Sequence, residues 1–303
     1  LIPMEIFGVA LMHTGLADQA VAVSLKSTDP MFEGNSLIDP VNFEQDILHF
    51  LKEFKFGSPK PSLHHITAIS RYFSRLPYEN ISKILKNAEA TQNQRFRLPD
   101  ELIHDHFAWH AGGTCFSLTY FLCGIYGLLG YKVQPLICHL NWAENTHSAV
   151  VIQFAGTRYL VDPGYMIFNP IPLRKMNAES LISAETGISL RFDPERDEYA
   201  LYTFRKGQFV RRYRFIDQDL SWEQFGRYWE TSFEMPGMNA LTLTRIQGNE
   251  MLFIQGDYVK VTSPGSIEKV REQNLAEEMI RDRFGIPLEK LEQARHILKQ
   301  RQL

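Results

Sequence analysis

Three side chains of this 303-residue chain, Cys115, His147 and Asp162, are of the types that run nucleophilic catalysis together. A thiolate attacks, an imidazole carries the proton, and a carboxylate orients the imidazole. Cys115 ends the run Gly112-Gly113-Thr114-Cys115 and opens an apolar stretch that reaches Gly130. The glycine pair lets another chain or a substrate approach closely. Thr114 is a competent N-cap, which places Cys115 in the first turn of a helix, where negative charge on sulfur is favoured. Leu118, Leu122, Ile125 and Leu129 form an apolar stripe that buries this helix, and Gly130 can end it. Cys123 and Cys138 read instead as small buried hydrophobes, one in mid-helix and one in a strand.

His147 and Asp162 flank a stretch that reads as a β-hairpin turning near Ala155-Gly156-Thr157. A two-residue loop at Ala155-Gly156 sets residue 147 opposite 164, with Asp162 its diagonal neighbour on the same face. A three-residue loop would put the two side chains on opposite faces. His139 is a rival base, without a carboxylate placed like Asp162. His104, Asp105, His106 and His110 offer a His-x-His-x-x-x-His pattern, but no further ligand completes a tetrahedral set. An exposed, His-rich connection is the favoured reading there, so no metal is expected. Arg205, Lys206, Arg211, Arg212 and Arg214 alternate with aromatics, as in a half-exposed strand, although they would also suit phosphates. Trp222, Phe225, Tyr228, Trp229 and Phe233 read mostly as core, with one or two members available to line a pocket.

The elements that must position these residues change character along the chain. Helical spacing is predicted over 42–56, 63–74 and 79–86, with a polar loop at 88–97. After the Cys115 helix come short β-branched runs at 131–139, 148–154 and 158–162. More follow at 199–204, 208–215, 240–246, 250–255 and 258–262, and the tail from Ile267 returns to helix. Helices, then antiparallel strands, then helix make an α+β chain. Hydrophobic residues are 44% and charged residues 22% of the chain, with a formal net charge of −3. That balance suits an ordinary globular protein and argues against non-specific nucleic-acid binding, which needs a basic excess. Three cysteines imply no disulfide framework. The apolar N-terminal 25 residues lack a basic leader and are interrupted by Glu5, His13 and Asp18. With no membrane-spanning run, the expected place is the cytoplasm.

Gly112-Gly113-Thr114-Cys115, then His147 opening a strand, then Tyr159-Leu160-Val161-Asp162-Pro163-Gly164, resembles the arylamine N-acetyltransferase family. Leu76-Pro77-Tyr78-Glu79-Asn80-Ile81 is similar to that family's Pro-Phe-Glu-Asn-Leu segment, and Phe284-Gly285-Ile286 to its C-terminal helix signature. The resemblance implies an N-terminal helical bundle, a central antiparallel β-barrel and a C-terminal α/β lid around a cysteine-protease-like Cys-His-Asp core. The corresponding domains would be 1–130, 131–217 and 218–303. It further implies ping-pong transfer of acetyl from acetyl-CoA through Cys115 to an arylamine, hydrazine or arylhydroxylamine, with His147 as base and Asp162 as its orienter. The same triad would serve an amide synthase with a longer acyl donor, or a transglutaminase-like or protease enzyme. The papain-type Cys-Gly-x-Cys-Trp signature is absent. The family's Arg before the glycine pair is Ala111 here, which leaves Glu79 in need of another partner, Arg75 being a candidate. That change also motivates a degenerate binding protein as an alternative. Ser117 and Thr119 replace an acidic or amide residue and an asparagine usual after the family cysteine.

Overall fold

A computed structural model describes residues 43–53, 60–90, 94–176, 179–183, 186–205 and 207–301. The N-terminal segment, both ends of the helix expected over 42–56, and Lys206 lie outside these residues. Among the described residues the leading elements include the helices α1 (Glu44–Glu53), α2 (Leu63–Phe73), α3 (Ile81–Glu89) and α4 (Pro99–Trp109). A short strand, β1 (Tyr78–Glu79), separates α2 from α3. The expected His-rich connection at 104–110 is therefore mostly helix, begun by Pro99 in its first turn and ended at His110 in the left-handed conformation. Its sparse apolar periodicity hid it.

Helix α5 (Cys115–Leu128) runs through the middle of this bundle, with every residue but Gly127 buried. A stripe is thus too modest a description, since the helix is apolar all round and forms the core itself. Phe50, Phe73 and Phe121 meet edge to face around it, with centroids 4.9 to 6.4 Å apart. Gly130, at φ 78°, ends the helix in the left-handed conformation open to glycine.

Eight strands follow in antiparallel order: β2 (Lys132–Leu140), β3 (His147–Phe154), β4 (Thr157–Asp162), β5 (Ile167–Pro172), β6 (Glu179–Ser183), β7 (Thr186–Asp193), β8 (Glu198–Arg205) and β9 (Gln208–Phe215). They form one sheet in the order β5-β4-β3-β2-β9-β8-β7-β6, curled into a nearly closed barrel. Strand β3 is buried on both faces. Val150 and Ile152 pack on the helical core, while Ala149 and Val151 fill the barrel. His147 shares the parity of Ala149 and so belongs to the barrel face.

Helix α6 (Trp222–Thr231) is started by a Ser221–Gln224 capping box and lays Trp222, Phe225 and Trp229 into the helical core. Strands β10 (Thr242–Gln247), β11 (Glu250–Gln255), β12 (Tyr258–Ser263) and β13 (Ser266–Arg271) then meander, and β1 joins them at the β10 edge. The helix expected from Ile267 is corrected here: 266–271 pair with β12 through the Gly265 turn, and α7 (Gln273–Met279) begins after them. A π turn, Ile280–Phe284, leads to α8 (Leu288–Arg301), which packs with α3 over the second sheet. The architecture is the expected α+β arrangement of helical bundle, antiparallel barrel and α/β lid.

Candidate active site

The β3–β4 hairpin turns through Ala155 and Gly156, at φ 48° and 77°, and pairs Phe154 with Thr157 and Val150 with Val161. A two-residue turn with both central residues left-handed matches the twist of its strands. The ladder itself ends at Val150–Val161, and the same count places His147 and Asp162 on one face, as the shorter loop requires. His147 Nε2 and Asp162 Oδ2 are 2.8 Å apart, both residues buried. Asp162 Oδ1 accepts from the Tyr165 amide at 2.9 Å, which fixes the carboxylate from its other side. Tyr165 and Tyr213 flank the imidazole, with centroids at 4.9 and 5.1 Å.

With Nε2 turned to Asp162, the remaining ring nitrogen, Nδ1, is free for the thiol. Gly164 shows how tightly Cys115 and His147 converge. A Cβ at Gly164 would fall 2.7 Å from His147 Cε1 and 2.9 Å from Cys115 Cβ, closer than any side chain tolerates. The glycine after Pro163 is therefore required by the meeting of the two side chains. The electrostatics follow from that meeting. Burial works against charge on His147, but the Asp162 carboxylate and Cys115 outweigh it and raise the imidazole to about 10. Burial likewise opposes the Cys115 thiolate, yet His147, with Lys83 behind it, brings the thiol below its ordinary value. Both shifts favour a thiolate–imidazolium pair over two neutral groups. Cys123 and Cys138, without such partners, are pushed up by burial and stay thiols.

The glycines before Cys115 also have a steric cause. A Cβ at Gly112 would lie 1.8 Å from the Pro77 carbonyl oxygen, and one at Gly113 2.4 Å from Ser117 Oγ. The β1 segment runs beside them: Gly113 N donates to Pro77 O at 3.3 Å and Glu79 N to Gly113 O at 3.1 Å. Thr114 occupies the N-cap position without a side-chain cap bond, and Ser117 Oγ donates to its carbonyl at 3.0 Å. Thr119 Oγ1 accepts from Ser148 Oγ at 3.2 Å, tying α5 to the strand that carries His147.

Glu79 is fully buried, and its counter-ion is Arg97 rather than Arg75. Arg97 Nη1 stands 3.7 Å from Glu79 Oε1 and donates to Gly112 O at 2.7 Å, while Nη2 donates to Asp105 Oδ2 at 2.6 Å. Ser82 completes the cluster, donating its amide to Glu79 at 2.9 Å and bonding both Glu79 and Arg97 through Oγ. A guanidinium reaching in from ahead of α4 thus occupies the role left open by Ala111. The motive for a degenerate site falls away with it. Arg75 lies over the Tyr72 ring instead, 4.7 Å from its centroid.

The remaining candidates sit elsewhere. His139 Nδ1 accepts from the Asn145 amide at 3.2 Å. His104 is exposed, His106 Nδ1 lies 3.1 Å from Ala111 O, and Asp105 is engaged by Arg97, so these residues do not converge. Among the described residues no three His, Cys, Asp or Glu side chains could hold a metal ion. Arg211, Arg212 and Arg214 bond Asn141, Thr203 and the pair Glu144–Glu198. The aromatic residues of α6 are core and do not line the site.

Cys115 and His147 open onto a cavity of about 210 Å³ between the barrel mouth, α3 and the second sheet. Tyr78, Phe116, Trp142, Tyr165 and Phe253 give it apolar walls, and Trp142 is exposed at its rim. Sequence reasoning passed over one lining residue, Lys83, whose ammonium is buried in this wall. No local signal marks it, because a lysine in the first turn of a helix ordinarily points to water.

A buried thiol beside an oriented imidazole, at the mouth of the barrel, is an arrangement able to carry nucleophilic chemistry at sulfur. The sequence model for N-acetyltransferase matches residues 62–293, and the chain belongs to the arylamine N-acetyltransferase family. It is an acetyltransferase enzyme. Among solved structures, the Mycobacterium abscessus arylamine N-acetyltransferase superposes with a TM-score of 0.69 at 15% identity, over 84% of this chain and 94% of that one. The Mycobacterium marinum enzyme, solved in complex with CoA, gives 0.65 at 19% identity, over 84% and 97%. A Bacillus cereus enzyme described by its Cys-His-Glu triad gives 0.60 at 17%, over 81% and 98%. At these identities the likeness is one of fold. A comparison with curated proteins gives no match. No helix of the described residues is long and apolar enough to cross a membrane.

Proposed function

We propose that the protein moves an acetyl group from acetyl-CoA, through a Cys115 thioester, to an arylamine, hydrazine or arylhydroxylamine. The observation that carries this reading is the buried alignment of Asp162, His147 and Cys115 at the cavity mouth. In the first half-reaction the Cys115 thiolate adds to the donor's carbonyl carbon, and the C–S bond to CoA breaks. His147 returns its proton to the departing CoA sulfur. In the second, the acceptor nitrogen adds to the acyl carbon while the now neutral His147 takes its proton, and the bond to Cys115 breaks. Asp162 keeps the imidazole oriented through both steps. Backbone N–H groups at the start of α5 would meet the oxyanion. The likeness to an enzyme solved with CoA supports a CoA thioester as donor.

Intact-protein mass after incubation with acetyl-CoA tests this directly. The wild type is expected to gain one acetyl group that disappears when an arylamine or hydrazine is added, and Cys115→Ala to gain none. A folded wild type that takes up no acetyl group would sink the proposal.

A further inference from the structure

Lys83 is an unusual residue for the wall of an acyl-transfer cavity. It sits in the first turn of α3, 5% exposed, with its side chain turned inward rather than to solvent. Nζ donates to Ser232 O at 2.9 Å and to Ser232 Oγ at 2.7 Å, and stands 4.3 Å from the Phe233 ring centroid. These groups hold the ammonium in place without neutralising it. Among the described residues no carboxylate lies within 4.0 Å of Nζ. The two glutamates on the far side, Glu230 and Glu234, are both engaged by Arg95. Two of the three N–H groups are used, and the charge faces the same cavity as Cys115.

Burial lowers the Lys83 ammonium to about 8, so it still holds its proton at neutral pH. Of the acids around it, Cys115 supports its charge most. Acylation converts that thiolate into a neutral thioester and removes this support. A second anion entering with the substrate would restore it. A small apolar acyl group such as acetyl supplies none, and a cavity meant only for acetyl would need no buried ammonium.

We propose that Lys83 makes the cavity selective for a substrate carrying a carboxylate near the reacting carbonyl. This deepens, and rests on, the transferase reading above. Two sources present that chemistry: a dicarboxylic acyl group on the CoA thioester, or a carboxylate on the amine acceptor. The Lys83 ammonium would pair with the carboxylate as it enters, and the acyl carbon would be left at Cys115.

The test compares wild type with Lys83→Met, which keeps the length of the side chain, and Lys83→Gln, which keeps a donor, all checked for an unchanged thermal midpoint. Rates of Cys115 acylation are read by rapid quench and intact mass for malonyl-, succinyl- and acetyl-CoA. Discharge of the acyl-enzyme is read with 4-aminobenzoate against aniline. Alkylation of Cys115 by iodoacetate against iodoacetamide gives a ratio that needs no acyl transfer. We expect the wild type to favour the carboxylate partner in one of the two half-reactions by at least tenfold. In both variants that preference should fall about tenfold, together with the iodoacetate ratio. Because Lys83 also helps lower the Cys115 thiol, neutral partners slow too, and the charged-to-neutral ratio is the readout. A changed donor ratio places the carboxylate on the acyl group, and a changed acceptor ratio on the amine. Donor and acceptor ratios that both stay within twofold overturn the proposal, whatever alkylation does, as does an equal slowing of charged and neutral partners. If no CoA thioester acylates Cys115, the transferase reading fails on its own. The iodoacetate ratio then decides whether Lys83 recruits carboxylates, supporting it if lost in the variants and overturning it if retained.

Discussion

The His147 ring keeps its proton up to about 10, and the lowered Cys115 thiol gives up its own beside it. His147 is raised above its unfolded value, so its contribution to stability is complete below 6.5 and is lost as pH rises through about 10. Cys115 is lowered, so its contribution disappears on acidification through that lowered value. Alkylation of Cys115 by iodoacetamide should therefore be nearly flat with pH from 7 to 9, where an ordinary thiol climbs steeply. Asp162→Asn removes the charge that sustains the imidazolium. It should restore a rising profile with a midpoint near 8.5 and slow alkylation at pH 7 by about 30-fold, the thiolate fraction of an ordinary thiol. Acetyl transfer should fall about 10³- to 10⁴-fold. A flat profile in Asp162→Asn would show that the carboxylate does not hold the pair. Residue types and spacing made these three side chains legible, because the glycine pair, the hairpin loop and Pro163-Gly164 are local signals. Lys83 was not legible, since a lysine in a helix ordinarily points to water and only the packing of α3 against Ser232 and Phe233 turns it inward.

At the scale of elements, the approach of β1 to the loop before α5 depends on Arg97, which holds the Gly112 carbonyl and faces the buried Glu79. Removing one member of a buried ion pair leaves the other uncompensated, at a cost of about 3–5 kcal/mol. Arg97→Met should therefore lower the melting temperature by roughly 10 °C, and Glu79→Gln added to it should recover part of the loss. Calorimetry of the four proteins in this cycle measures the coupling, and additive effects would remove Arg97 as the counter-ion. The sequence showed that Glu79 lacked its usual partner but not where the replacement came from. Arg97 sits 18 positions downstream and is brought in by the packing of α4. The same limit hid other elements. Strand β5 carries Pro170 and Pro172, which a central strand would exclude, and it survives because it is the edge of its sheet. Strand β13 is rich in helix formers, and its pairing with β12, set by Gly265 at φ 77°, overrides their propensity.

At the scale of the whole molecule, the described residues form three hydrophobic clusters, around α5, inside the barrel, and between α3, α8 and the second sheet. The cavity lies where they meet, so its shape depends on how the second sheet is held against the helices. Asn80 is the main polar fastener across that junction. Its Nδ2 donates to Gly237 O at 3.0 Å and Ala240 O at 2.8 Å, and its Oδ1 accepts from Thr242 N at 2.8 Å. Its own amide donates to Thr242 O at 3.2 Å. Gly237, Met238, Thr242 and Thr244 all face the cavity, so loosening this junction should widen it before it unfolds the barrel. Asn80→Ala would strip partners from one amide and two carbonyls, at a cost of roughly 3 kcal/mol, or about 6–12 °C in melting temperature. Hydrogen exchange should rise in β10 and β11 while β2 to β4 stay protected. The pairing of His147 with Asp162 involves neither segment, so the flat alkylation profile of Cys115 should survive, whereas KM for the acyl donor should rise more than kcat falls. If exchange instead rose equally in β3, or kcat collapsed with KM unchanged, Asn80 would be holding the nucleophile rather than the wall opposite it.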